Sequence, residues 1–149
     1  MADVVSKAKR SEMMAGIRGK DTKPEMLIRR GLHARGYRFR LHVKDLPGKP
    51  DIVLPKYSAV IFVNGCFWHG HDCHLFKWPK TREAFWREKI GTNRRRDAAK
   101  KAALSKAGWR CATIWECALK KKEYGAIDGA LSQLVVWLDS GAATVEIAS

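Results

Sequence analysis

A chain of 149 residues, 46% of them hydrophobic, is long enough to build one ordinary domain with its own core. No apolar run reaches the roughly 20 residues that cross a bilayer, and the N-terminus MADVVSKAKR lacks the apolar stretch of a secretory signal, which excludes a membrane-spanning role and predicts a cytoplasmic protein. Lys and Arg number 29 against 15 Asp and Glu, a formal net charge of +14, the electrostatic footprint of a nucleic-acid binder. The charge is clustered in TNRRRDAAKK and ALKKKE, while AVIFVNGCFW is nearly neutral. In a cytoplasmic setting the four cysteines read as thiols or metal ligands rather than disulfides.

There is no internal repeat or long linker, so residues 1–149 are expected to form a single domain. Residues 1–20 read as an N-terminal arm or short helix, weakened as a helix by Gly16 and Gly19. DTKPEMLIRRGLHARGY then reads as a helix with Thr22 as N-cap, Pro24 in its first turn, Glu25 three residues on and Gly36 as its stop. Three strand-like runs follow. YRFRLHV alternates Tyr37, Phe39, Leu41 and Val43; DIVL comes after the turn at Pro47-Gly48; SAVIFV is continuously apolar, as a strand buried on both faces should be. TREAFWREKIGTNRRRDAAKKAALSKAG is a long basic helix, WRCATIW a fourth strand, and GAIDGALSQLVVWLDSG a helix with an apolar stripe through Ile127, Leu131, Leu134, Val135 and Leu138. This order predicts a mixed sheet with helices on its faces, with the chemistry at the strand ends.

Asp51 stands directly after Pro50 at the start of an otherwise apolar strand. A carboxylate there is a turn cap or a metal ligand. Followed by SAVIFV, it matches half of a nuclease pattern in which a Pro-Asp carboxylate binds a divalent ion and a Glu-x-Lys pair stands on the next strand. Here the corresponding positions are Phe62, Val63 and Asn64, none of them anionic.

NGCFWHGHDCHLF follows that strand. Cys66, His71 and Cys73 give a C-x4-H-x-C spacing in one loop, a donor set for tetrahedral Zn²⁺. A fourth ligand must come from elsewhere. Cys117, just beyond WRCATIW, is the expected one; Cys111, inside that strand, competes but reads better as a buried thiol, and His69 and His74 are rivals. Four protein ligands leave no open position, so the site is expected to be structural. Phe67 and Trp68, in the middle of this stretch, have no role in metal binding. Trp78 and Trp115 read as core. On the basic helix, Lys89 and Asn93 are four apart on one face with Trp86, and their side chains suit guanine and adenine edges; Arg94, Arg95, Lys100 and Lys101 face phosphates or solvent.

DTKPE, LPGKPDIVL, VIFVNGCFWHGHDC, FWREKIGTNRRRD and GWRCATIWEC resemble, in order and spacing, the very-short-patch repair (Vsr) endonucleases of bacteria, from about Arg10 to Cys117. The resemblance implies an α/β, restriction-endonuclease-like fold of the PD-(D/E)xK superfamily with a structural Zn²⁺. It implies Mg²⁺-dependent nicking of the T-containing strand in double-stranded DNA at a T:G mismatch left by deamination of 5-methylcytosine. Carried onto this chain, it makes Asp51 the central Mg²⁺ ligand, the Val63 carbonyl the second, and His69 the general base. Glu25 holds the ion's water, Asp97 supports the site, and Phe67, Trp68 and Trp86 wedge into the base stack. Asn64 stands where the family typically has histidine and cannot carry a proton at neutral pH. A monomer, helped by a mismatch-repair accessory factor, is the expected working form. Two other readings use the same residues: a restriction-like endonuclease on matched duplex, and a non-catalytic, zinc-stabilised DNA-binding module.

Overall fold

The computed structural model describes residues 22–120 and 125–149; the expected N-terminal arm lies outside them. The elements are α1 (Lys23–Ala34), β1 (Arg40–Leu41), β2 (Ile52–Leu54), β3 (Ala59–Asn64), α2 (Glu83–Lys106), β4 (Arg110–Trp115), α3 (Glu116–Leu119), α4 (Ala126–Ser140) and β5 (Thr144–Ile147), with a 3-10 turn at Pro55–Tyr57 between β2 and β3. Among the described residues no helix is long and apolar enough to cross a membrane.

The five strands form one mixed sheet in the order β1-β2-β3-β4-β5. β1, β2 and β3 pair antiparallel, so a short turn suffices between β2 and β3. β3 and β4 are parallel, as are β4 and β5, and parallel neighbours need long crossovers. α2 makes the first crossover; α3 and α4 make the second.

Helices cover both faces. Ile28 and Leu32 of α1 and Leu131 and Leu134 of α4 pack against Ile52, Leu54, Ile61, Ala112 and Ile114. The intervening strand residues Val53, Val60, Phe62 and Cys111 turn the other way and meet Leu104 of α2. This period-2 division explains why the strand residues Ala59, Val60, Ile61, Phe62 and Val63 are all apolar: both faces of β3 are covered.

The sequence readings of α1, β2, β3, α2, β4 and α4 agree with these elements. Thr22 caps α1 by accepting from the Glu25 backbone N–H at 3.4 Å, while the Glu25 carboxylate pairs with Arg29 one turn on. Three expectations need correction. YRFRLHV yields only two strand residues, because His42 takes a left-handed backbone (φ 55°) that ends the extended run. β5 was not foreseen; its residues TVEI lie past Gly141, which terminates α4. Trp78 is half-exposed and packs on Phe76 under the Arg87 guanidinium, whereas Trp115 is buried as expected.

Candidate active site and metal centre

β3 and β4 end at the same level, with Asn64 opposite Trp115. The chain leaves β3 into the Gly65–Cys66 loop and leaves β4 into α3, which carries Glu116 and Cys117. This shared end of two parallel strands is where the two clusters of chemically active side chains meet.

The first cluster lines a cleft of about 450 Å³. Glu25 enters it from α1, Asp51 from the start of β2, Val63 and Asn64 from β3, His69 from the following loop, and Asn93 and Asp97 from α2. Asp51 is held in place by its neighbour strand: the Val63 backbone N–H donates to Asp51 Oδ2 at 2.7 Å. The Asp51 N–H in turn donates to the Ile61 carbonyl at 3.1 Å. Ile61 and Val63, two apart on one strand, present their backbone groups to the same edge, so the Val63 carbonyl faces the side on which Asp51 lies. Burial raises the Asp51 carboxyl to about 7; the Val63 hydrogen bond works against that rise and nearby Glu25 adds to it. A bound cation would reverse the balance, because it favours the ionised form.

Across the cleft, His69 Nδ1 lies 2.5 Å from Asp97 Oδ2. With Nδ1 carrying the proton toward the carboxylate, Nε2 is left with its lone pair. Asn93 Nδ2 donates to the Trp68 carbonyl at 2.8 Å, so the residue expected to read a base also ties the aromatic loop to α2. Lys49, Lys100 and Glu116 line the same cleft. Lys49 and Glu116 were not singled out from sequence; a lysine in a Gly-Lys-Pro turn and a glutamate beside a cysteine carry no signal until the fold places them on one cleft with Asp51.

The second cluster is Cys66, His71, Cys73 and Cys117, whose ligand atoms all lie within 4.8 Å of one another. Tetrahedral Zn²⁺ with Zn–S bonds of about 2.3 Å sets its ligand atoms about 3.8 Å apart, so two-thiolate-and-more chemistry of this kind fits the group. Cys117 Sγ and His71 Nδ1 are already 3.6 Å apart. Backbone donors point at the sulfurs: Cys117 N–H at Cys66 Sγ and Ser149 N–H at Cys117 Sγ, both at 3.3 Å. Burial works to raise the Cys117 thiol, but the hydrogen bonds from Ser149, Cys66 and Cys73 outweigh it and the net shift is downward; burial pushes the Cys66 thiol up. Cys111, the sequence competitor, lies in the other apolar layer with Val60 and Leu104. His74 is exposed and stands outside the cluster, and His69 is engaged with Asp97.

Between the two clusters the loop runs through Gly70, whose left-handed backbone (φ 61°) brings it against α2. A Cβ there would sit 2.5 Å from Ile90 and 2.6 Å from the Arg94 guanidinium, which donates to the Gly70 carbonyl. The aromatic rings form a surface group: Phe67 meets Trp68 and Trp86, each at 5.3 Å, and Trp68 meets Trp86 at 5.7 Å. All three are half-exposed. Lys89 lies on α2 one turn beyond Trp86, and neither lines the cleft.

The family model for the DNA mismatch endonuclease Vsr matches residues 2–75. The chain is 48% identical over 135 residues to a Type II nicking enzyme of Xanthomonas oryzae pv. oryzae, covering 91% of this chain and 98% of that protein. It is 43% identical over 147 residues to the DNA mismatch endonuclease Vsr of Escherichia coli, covering 99% and 94% respectively. A Type II nicking enzyme of Neisseria meningitidis is 46% identical over 122 residues, covering 82% and 87%.

Proposed function

The chain belongs to the Vsr DNA mismatch endonuclease family and is a DNA endonuclease, and from that premise we propose that it nicks the T-containing strand of duplex DNA at T:G mismatches left by deamination of 5-methylcytosine. The observation that carries the reading is the opposition, in one cleft, of a carboxylate tied to β3 and a histidine–aspartate pair.

In this reading Asp51 and the Val63 carbonyl hold Mg²⁺, with Glu25 beside them in the cleft. When bound, the ion supplies Lewis-acid stabilisation of charge developing on the phosphate. His69 Nε2 takes a proton from water as the water oxygen bonds to phosphorus; the phosphorus–oxygen bond to the departing sugar oxygen breaks, and that oxygen keeps the electron pair and takes a proton from solvent. Asp97 fixes the imidazole tautomer and stabilises the imidazolium that forms. Lys49 and Lys100 set positive charge along the wall where the strand runs. Asn64, buried at the end of β3, can donate or accept a hydrogen bond there but adds no charge.

Cys66, His71, Cys73 and Cys117 hold a structural Zn²⁺ that stiffens the loop bearing Phe67 and Trp68. Those rings, with Trp86, wedge into the base stack at the weakened pair, and Lys89 and Asn93 reach base edges. The antiparallel β1-β2-β3 unit continued by parallel β4, with the aspartate at the start of β2, supports a restriction-endonuclease-like core of the PD-(D/E)xK superfamily. A cytoplasmic monomer is sufficient for a single-strand nick, and an accessory repair protein would act by recruitment.

End-labelled duplexes, one matched and one with a T:G mismatch, test the reading with and without Mg²⁺. The expected result is a nick in the T strand of the mismatched duplex only, and only with Mg²⁺. Equal cutting of both duplexes would point to a restriction-like enzyme, and binding without cutting to a non-catalytic module.

A further inference from the structure

Trp115, the last residue of β4, stands between the two clusters. Its ring is stacked on His71 of the metal cluster, with centroids 4.1 Å apart and planes 6° apart. The same ring meets His69 edge-on at 6.2 Å. Its indole N–H donates to Glu146 Oε1 of β5 at 3.2 Å. Trp115 is buried, 7% exposed, so its plane is fixed by what it packs on. Asp97 holds His69 at Nδ1 from α2, and one hydrogen bond fixes a single point of the ring rather than its plane. An edge-to-face contact within 4.5–7 Å favours one orientation of the ring over others.

We propose that Trp115 is a positioning residue for the nicking reaction: it transmits the rigidity of the metal cluster, through His71, to the ring of His69, and Glu146 sets its plane. The contacts run in one line, from the metal cluster through His71, Trp115 and His69 to Asp97. An unforeseen strand, β5, thereby acquires a task in the chemistry, since Glu146 is its contribution to that line. The inference rests on the reading of His69 as general base. Misorienting a base costs the chemical step and leaves substrate binding alone, because the DNA is held by the basic surface and the aromatic wedge.

Four variants test it under single-turnover conditions: Trp115→Phe, Glu146→Ala, Glu146→Gln and His69→Ala. Measured together are the maximal nicking rate, the affinity for T:G duplex and the zinc content. Trp115→Phe keeps a ring but loses the N–H and part of the stacking surface; a roughly tenfold or greater loss of rate is expected, with duplex affinity and zinc content unchanged. Glu146→Ala, at the exposed end of the same contact, is expected to lose a few-fold in rate, and Glu146→Gln, which keeps an acceptor, to recover it. Rates equal to the parent in both Trp115→Phe and Glu146→Ala, beside a dead His69→Ala, would overturn the proposal and leave His69 as base. A rate loss in Trp115→Phe that tracks zinc loss would overturn it too, since the ring would then serve only the metal cluster; if Trp115→Phe fails to fold, the two Glu146 variants decide alone. An active His69→Ala would instead remove the reading of the base on which the inference stands.

Discussion

His69 and Asp97, 28 positions apart in sequence, meet at 2.5 Å because the loop after β3 folds back onto the third turn and beyond of α2. Asp97 Oδ2 takes the Nδ1 side of the ring, which leaves Nε2 unengaged by Asp97, and His69 lines the cleft that also holds Asp51. Asp97→Asn removes the charge that stabilises the imidazolium and lets the amide favour the wrong tautomer. The maximal nicking rate is expected to fall by about 10²-fold, within the range of a general acid–base contribution, while affinity for mismatched duplex is retained. Single-turnover nicking and a binding titration on the same duplex check this; a rate within a few-fold of the parent would mean that Asp97 is an ordinary helix carboxylate.

Asp51→Asn is expected to abolish nicking and leave mismatch binding nearly intact, because an amide is a poor ligand for a hard cation. The same substitution should stabilise the protein when no Mg²⁺ is added. Burial raises the Asp51 carboxyl from 3.8 to about 7 in the folded state. The folded chain then binds the proton more tightly than the unfolded chain, so the stability this group contributes is present below pH 4 and is lost as pH rises to about 7. Asparagine does not titrate. The variant's advantage in thermal stability should therefore grow between pH 4 and pH 7 and level off above, reaching on the order of 1–3 kcal/mol. Melting curves at pH 5 and pH 8 read it directly, and an advantage that does not grow with pH would remove the buried-charge account.

The hydrogen bond from Ser149 N–H to Cys117 Sγ makes a prediction for metal retention. Donors to a ligating sulfur hold it in place, and outer partners of this kind are worth about 10–100-fold in metal affinity. Ser149→Pro deletes the N–H, whereas Ser149→Ala keeps it. Zinc transfer to a chromogenic chelator should be at least several-fold faster from Ser149→Pro than from the parent, and unchanged in Ser149→Ala. In the same assay Cys117→Ala should fail to retain zinc and Cys111→Ala should retain it, since Cys111 packs in the apolar layer under α2.

Much of this is legible in the amino-acid sequence alone. Apolar runs without polar interruption mark β3 as doubly covered, and the cap at Thr22 with Pro24 marks the start of α1. The metal cluster was legible because thiol and imidazole donors at short spacing have few other uses, and Cys117 was separable from Cys111 by its place beyond the strand. What stayed hidden depends on neighbours far off in sequence. β5 is a short edge strand with Glu146 facing out, and nothing local distinguishes TVEI from a loop until β4 offers its edge. YRFRLHV alternates well, yet it is stopped at His42 by a backbone conformation that the pattern does not encode. Trp78 and Trp115, both expected in the core, could not be told apart by type: Trp115 is 7% exposed at the end of β4, while Trp78 sits half-exposed under Arg87.

The last prediction concerns Trp68. Its ring packs against Phe67 and Trp86 and is half-exposed, and its carbonyl is held by Asn93 of α2. The ring is therefore supported from behind by other rings and by a helix, the arrangement a side chain needs if it is to press into a base step without retreating. The Lys and Arg of α2 are expected to supply most of the sequence-independent affinity through phosphate contacts, a contribution that does not depend on stacking by this ring. Stacking on a base is worth about 1–3 kcal/mol, or roughly ten- to a hundredfold in affinity. That gain requires opening a base step, and a T:G wobble opens more cheaply than a matched pair. Trp68→Ala should therefore lose about ten- to a hundredfold in affinity for T:G duplex and much less for matched duplex, with an unchanged slope of affinity against salt. Asn93→Ala should show a weaker form of the same selectivity loss, because it frees the Trp68 carbonyl while leaving the ring present. Titrations of both duplexes at several salt concentrations separate the outcomes: equal losses on both duplexes, or none, would make Trp68 a loop-packing residue and end its role as a wedge.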